Sequence, residues 1–547
     1  MQKLFFCLPV FLLLLHPAGA QEYRNHAQLS QKLKSLEASS AGLAKLRSIT
    51  KTAGGKDIWL MEVGSGDRSA HPAIAVVGGV EGSLLFSQEL AVGFIEKLLA
   101  GAKTDSIKNL LATTTFYVYP SMSPDASEQY FASLKYERRG NTSATDDDRD
   151  GKTNEDPFED LNGDGIITMM RVEDVTGKWK SHAADARVMV LANTEKGERG
   201  NYQLYTEGID NDKDNAYNED GEGGIHFNKS LTFDPPYFTP GAGEHPVSEL
   251  ENRALLDLLH EQANVFAVVT FGPANNLAEP WKFDRSKTTM RVITGILSGD
   301  AQINKQVSEL YKKSVNTKDA PGAAATKGDF VQWAYFHYSR LSFSTPGWWV
   351  PKFEIPKDSA AAKKYKANED KNTDVDFLRW AEKEGMDVFV PWKKINHPDF
   401  PGKTVEVGGF KPFVKSNPPA KAMDKATSDH TKFLIALANI KPEVELLNQK
   451  TESLGNGISR VTATIHNKGL LPAVADIGTR NYWVKLINVS LTLDKEQSLV
   501  SGNRVVVVNN LQPGESKEVS WLVKGKGTVI LEAGAPQTGL KKINITL

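Results

Sequence analysis

Three regimes of hydrophobic patterning divide the 547-residue chain. Residues 4–15 form one apolar run behind Lys3 and ahead of Ala18-Gly19-Ala20. This succession of charged, apolar and small residues predicts a secretory signal peptide over 1–20, a mature start at Gln21, and a secreted or periplasmic protein. The run contains Pro9 and is short for a bilayer span, which argues against a membrane anchor, and no later stretch is long and apolar enough to cross one. Between 21 and 440, apolar runs alternate with helical periodicity. Leu29, Leu33, Leu36, Leu43 and Leu46 recur at helical spacing and predict one or two helices ending near Ser48, followed by a hairpin over 52–63 around Gly54-Gly55. Buried strands are expected at 73–78, 114–119 and 265–271, with helices over 85–100, 246–263, 364–384 and 424–440, an α/β succession. From Pro442 the pattern changes to short strands at 444–448, 459–467, 483–493, 504–508, 516–523, 528–532 and 541–547. Turn residues separate them, and an all-β immunoglobulin-like sandwich is expected over 441–547.

The length calls for more than one domain, and the formal net charge of −2 provides no basic field for nucleic acid or an anionic membrane. Cys7 is the only cysteine and lies inside the apolar leader. The mature chain therefore has no disulfide and depends on its core and on any metal it holds.

The apolar strand at 73–77 runs into Gly78-Gly79-Val80-Glu81-Gly82-Ser83-Leu84, a glycine loop where α/β proteins carry chemistry. This loop resembles the Gly-Gly-x-His-Gly-x-Glu ligand loop of zinc metallocarboxypeptidases, with Glu81 at the His position and Leu84 at the Glu position. Further landmarks agree in order. Residues 121–125, SMSPD, are similar to the family's Asn-Pro-Asp, and Arg138-Arg139-Gly140-Asn141 stands where the family keeps arginines. Residues 225–230, IHFNKS, resemble Asp-x-Asn-Arg-Asn, with Asn228 kept and Lys229 replacing the Arg. The strand that the family ends in a His ends here in Phe271-Gly272-Pro273, and Asn275-Asn276-Leu277 and Pro280 resemble its following loop. Residues 328–338, GDFVQWAYFHY, match the Asp-x-x-x-Trp-Ala-Tyr helix, and the family spacing from Trp333 places Pro346 at the general base. The resemblance implies one mixed-sheet α/β domain with helices on both faces over 21–440, and an ancestral activity of releasing C-terminal residues from peptides.

That chemistry needs two His and a carboxylate around zinc, an open position for water, and a Glu to take the water's proton. Glu81, Leu84, Phe271 or Gly272, and Pro346 supply one carboxylate among them. His182, His226, His245, His260 and His337 form no His-x-x-x-His, His-x-x-Glu or Glu-x-x-His pairing, so zinc is not expected and these read as packing or surface residues. The expectation is a non-catalytic relative that binds peptide C-termini or serves as a scaffold. Two alternatives stay open: an active zinc carboxypeptidase whose ligands lie in another register, and a structural surface protein. By resemblance Arg138, Arg139, Asn141, Asn228 and Lys229 are candidates for holding a carboxylate. Lys keeps the attraction of an Arg but not its two-bond geometry. The alternative is that these are solvated surface charges, with Arg138 and Arg139 pairing with Asp146–Asp148.

An acidic insertion occupies 146–224. DDDRDGKTNED at 146–156 and DNDKDNAYNED at 210–220 align without gaps, and DLNGDG at 160–165 repeats the theme. Alternate oxygens at that spacing converge on a hard cation, as in EF-hand and thrombospondin type 3 loops. Asp146, Asp148, Asp150, Asp160, Asn162, Asp164, Asp210, Asp212, Asp214 and Glu219 are thus calcium candidates, against the alternative of a solvated acidic segment. Gly151 and Gly165 stand at the turn position, Asn215 replaces it in the last loop, and an EF-hand's distal Glu is missing. A structural loop fits better than a sensor. Trp348-Trp349 reads as packing, with stacking on a ligand as the alternative.

Overall fold

The computed structural model describes residues 23–147, 149, 151–154, 156–213, 217–218, 223–316, 319–353, 360 and 372–547, so the leader lies outside the described residues. A six-stranded sheet runs in the order Ala44–Lys51, Asp57–Val63, Thr115–Tyr119, Ala73–Val77, Val265–Phe271 and Leu341–Thr345. The two N-terminal strands join antiparallel, and the last four are parallel to one another, making the sheet mixed. Every residue of those four strands is buried, as in a parallel sheet covered on both faces. On one face lie helices His26–Ser39, Leu85–Ala100, Ser298–Val315 and Ala420–Asn439, packing Leu33, Ile95, Tyr311 and Phe433 into the larger core. On the other lie Leu250–Glu261 and Phe330–Phe336, with Leu259 and Trp333. The parallel strands end together at Val77, Tyr119, Phe271 and Thr345, the edge where such sheets build sites.

Leu43 and Leu46 depart from the predicted helix. It stops at Ser39, Ala41 and Gly42 turn through φ +51° and +84°, and Ser40 Oγ accepts the Ala44 N–H at 3.1 Å, which starts the first strand. The hairpin accordingly begins at Ala44 and turns over Thr52–Lys56. Likewise the helix expected from 246 begins at Leu250, because Val247 sits at φ +61°.

A second six-stranded sheet was not legible as such. Its order is Phe389–Ile395, Val405–Phe410, Met169–Glu173, Tyr202–Thr206, Trp179–His182 and Asp185–Leu191, so four of its strands come from the acidic insertion. Met170, Val172, Val405 and Val407 form its small core.

The C-terminal part is all-β. Val444–Gly455, Ile458–Asn467, Ser516–Lys524 and Ser498–Ser501 form one antiparallel four-stranded sheet, and Val505–Val508, Ile487–Thr492, Thr528–Ala535 and Gly539–Thr546 the other. Alternate residues of both, including Val461, Val489, Trp521 and Leu531, fill one core. The segment expected to start a strand at 483 starts it at Ile487, after a short helix Asp476–Asn481. No helix among the described residues is long and apolar enough to cross a membrane.

Candidate active site

The glycine loop leaves the sheet by a sharp turn. Gly78 N–H donates to the Tyr119 carbonyl at 2.8 Å, and Gly79 sits at φ +58° with Ser121 Cα only 2.7 Å from where a Cβ would stand. This close approach fixes Glu81 over the ends of the parallel strands, while Leu84 becomes the N-cap position of helix Leu85–Ala100. Asp125 locks the neighbouring loop. It accepts from Thr52 Oγ1 at 2.8 Å, Lys56 Nζ at 3.1 Å and Gly54 N–H at 3.0 Å, and these partners hold its carboxyl below the usual range against the opposing effect of burial.

The candidate carboxylate-binding residues separate into two groups. Arg138 is buried and donates to the Gly140 carbonyl at 3.2 Å and the Asn141 carbonyl at 2.6 Å. Asn141 donates to Glu249 at 2.6 Å and Glu251 at 2.9 Å, and Asn228 Oδ1 accepts the Phe330 N–H at 2.9 Å. These three build the walls. Arg139 and Lys229 instead address Glu81. The Arg139 side chain is 61% exposed and its Nε stands 4.0 Å from Glu81 Oε1, while Lys229 Nζ donates to the Pro240 carbonyl at 2.5 Å.

Burial pushes the Glu81 carboxyl up, and Glu137 adds to this, while Arg139 and Lys229 oppose it. Burial lowers Lys229, with Arg139 adding and Asp147 and Glu81 opposing. His226 is pushed down to about 4 by burial, then by Lys229 and Arg139, so it is neutral at physiological pH. Glu81 Oε1 is buried without a hydrogen-bond partner, as are Thr270 Oγ1 and Ser344 Oγ on adjacent strands. Position 81 was legible through the loop; the two hydroxyls carry no sequence signal.

The family's metal positions do not fit zinc. Phe271 is packed in the core with its ring 5.9 Å from that of His430. A Cβ on Gly272 would stand 2.7 Å from Val80 Cγ2, a buried branched side chain, so this register has no room for a ligand either. Leu84 and Pro346 carry no ligating or proton-accepting atom in their side chains. Among the described residues no group of three or more His, Cys, Asp or Glu is placed to hold a metal ion. The histidines considered from sequence lie in packing roles or against single hydroxyl or carbonyl partners. His182 is buried, His260 packs on Trp333 and Tyr338, and His337 meets Thr232. Trp348 packs on Trp380 at 6.0 Å.

In the insertion, Asp160 accepts the N–H groups of Gly163, Asp164 and Gly165 at 2.7, 3.1 and 2.6 Å. Asn162 Oδ1 accepts from Asp164 N–H at 2.9 Å, and Asp164 Oδ1 from Ile166 N–H at 2.9 Å. Asp146 caps Gly151 at 3.1 Å and Asp210 caps Lys213 at 2.6 Å; Asp212 lies in the latter loop. Asp148, Asp150, Asp214 and Glu219 lie outside the described residues.

A mixed sheet wrapped by helices, with a loop at its parallel edge bearing Glu81 near Arg139 and Lys229, defines a carboxypeptidase-type α/β protein. The zinc carboxypeptidase family model matches residues 29–347, and the chain belongs to that family. Residues 443–546 match a domain of unknown function. Carboxypeptidase M of Mus musculus is 29% identical over 122 residues, 21% of this chain and 28% of that protein, so the match spans under a third of the relative's length. Among solved structures, bovine thrombin-activatable fibrinolysis inhibitor in complex with tick carboxypeptidase inhibitor has 10% identity and a TM-score of 0.40, covering 76% of this chain and 96% of that one. Carboxypeptidase A from Helicoverpa armigera has 10% identity and a TM-score of 0.37, covering 59% and 63%.

Proposed function

We propose that this chain is an exported, non-hydrolytic member of the zinc carboxypeptidase family that binds the carboxylate end of a peptide or protein. One observation carries the reading: Arg139 and Lys229 remain beside Glu81 at the sheet edge, while Leu84, Phe271, Gly272 and Pro346 replace the groups that would hold zinc and activate water. Fluorescence anisotropy with a labelled pentapeptide tests it. A free C-terminus should bind, its amide should bind at least about tenfold more weakly, and Lys229→Glu should abolish the difference. Chelator-sensitive release of C-terminal residues, or stoichiometric zinc in protein purified without added metal, would establish the active-enzyme reading instead.

Two further readings belong to the same proposal. The C-terminal two-sheet domain is immunoglobulin-like, and the acidic insertion is a structural calcium segment. Supporting the latter, Asp156, Glu159, Asp160 and Glu207 accept hydrogen bonds only from backbone N–H, amide and hydroxyl groups, with no Lys or Arg partner among the described residues. The acidic repeats at 146–156 and 210–220 adjoin these groups, and carboxylates gathered at such spacing are stabilised by a divalent cation.

A further inference from the structure

We infer that the sheet-edge site around Glu81 takes a free α-amino acid, whose carboxylate meets Arg139 and Lys229 and whose ammonium meets Glu81. This rests on the carboxylate-binding reading and puts a free amino acid in place of a peptide end as the preferred ligand.

The inference starts from an unmet requirement. The Glu81 side chain keeps only 19% of its surface, its Oε1 is buried without a partner, and neither oxygen accepts a hydrogen bond from the described residues. Arg139 Nε, at 4.0 Å, is too far to donate. A largely buried carboxylate left without donors is costly, and the cost is relieved by whatever brings N–H groups to it. The surrounding groups do not: Lys229 Nζ donates to the Pro240 carbonyl, His226 is neutral, and Glu137 is of like charge. A metal is a poor candidate, because Leu84, Phe271 and Pro346 offer no second ligand.

Charge then selects among organic ligands. A peptide C-terminus brings a carboxylate and a neutral amide, so it satisfies Arg139 while setting a second negative charge beside Glu81. A zwitterion brings opposite charges to both sides. The spacing agrees, since amino and carboxylate groups on one carbon bridge the 4.0 Å gap with charge-assisted hydrogen bonds of about 2.8 Å on each side. Glu81 is thereby a specificity-determining residue for an amine, at the position where the family's loop carries a His.

Calorimetric titration of the full chain with each proteinogenic L-amino acid, its N-acetyl derivative and its C-terminal amide tests this. At least one free amino acid should bind, with both derivatives weaker by about tenfold or more. Glu81→Gln should erase the preference for the free over the N-acetylated form, and Arg139→Ala should weaken both. If N-acetyl amino acids bind as tightly as free ones, the zwitterion is overturned and the carboxylate reading stands. If no carboxylate compound binds, or Arg139→Ala is silent, both fall. Should Glu81→Gln fail to fold, the derivative comparison on the unaltered chain decides alone.

Discussion

His430 ties the turn at Pro346 to the protein interior through a chain of polar groups with one direction. Its Nδ1 donates to the Ala426 carbonyl at 2.8 Å, so Nε2 accepts from Tyr311 O–H at 3.2 Å. The Tyr311 oxygen in turn accepts from Thr345 at 2.9 Å, and Thr345 Oγ1 accepts the Gly347 N–H at 3.2 Å. A second proton on His430 would break the chain, and burial pushes its pKa down to about 4. The unfolded state takes up that proton near pH 6.5 and the folded state only near 4, so stability is full above the former and falls as pH drops between them. The loss is about 3 kcal/mol at most. His430→Gln removes this titration, so its melting-temperature deficit relative to wild type should be largest near neutral pH and shrink as pH falls to 4. Other buried groups do not enter that difference: Asp300 and Glu251, raised to about 6 and about 7, act with the opposite sign in both proteins. None of this was legible. Tyr311 and His430 sit 119 residues apart on helices whose periodicity reads only as core, whereas the loop bearing Glu81 announces itself by its glycines. Likewise Arg138, Asn141 and Asn228 read like Arg139 and Lys229 in sequence. Only their burial against backbone and carboxylate partners shows that they build the wall.

At the scale of elements, Ala73–Val77 and Val265–Phe271 are plain in sequence because they are short, β-branched-rich apolar runs bounded by turn residues. The second sheet is not, since strands such as Trp179–His182 are short, mostly half-buried and set among charges. Its insertion strands are tied together by buried acids. Glu207 accepts from Leu161, Thr168 N–H and Thr168 Oγ1, and Asp156 from Asn211 and Asn218. Calcium at millimolar concentration is expected to raise the melting temperature and to protect the insertion from proteolysis, and a chelator to reverse both. An unmoved melting temperature with no calorimetric uptake would leave a purely solvated segment. Gly54 is a second element-scale control: a Cβ there would stand 2.4 Å from Asp125 Oδ1. Gly54→Ala should therefore destabilise by about 1–3 kcal/mol in chemical denaturation.

Across the whole molecule, the β domain is joined to the carboxypeptidase-like part by more than a linker. Asp300 accepts the Asp476 and Ile477 N–H groups at 2.8 and 3.0 Å together with Tyr335 O–H at 2.7 Å. Asp476 accepts the Gly299 N–H at 3.0 Å in return, so two helix starts exchange caps. Leu471, Ala475 and Ile477 complete the larger core, and Asn481 donates to the Phe336 carbonyl at 2.9 Å. Asp300→Ala strips three donors of their acceptor and should cost about 2–4 kcal/mol. A chain cut after Ile440 should melt well below the full protein, and independent melting of the two parts at unchanged temperatures would disprove this coupling. The strand periodicity after Pro442 was readable, but the reciprocal caps were not, because each Asp finds its partner only once both domains are folded.

The closed space beside Gly272 also bears on engineering. With Val80 Cγ2 2.7 Å from the vacant Cβ position, a His introduced at 272 has no place until Val80 shrinks, and a His introduced at 271 loses the core ring contacts of Phe271. A variant carrying a His at 272 therefore calls for a smaller side chain at position 80 in the same chain.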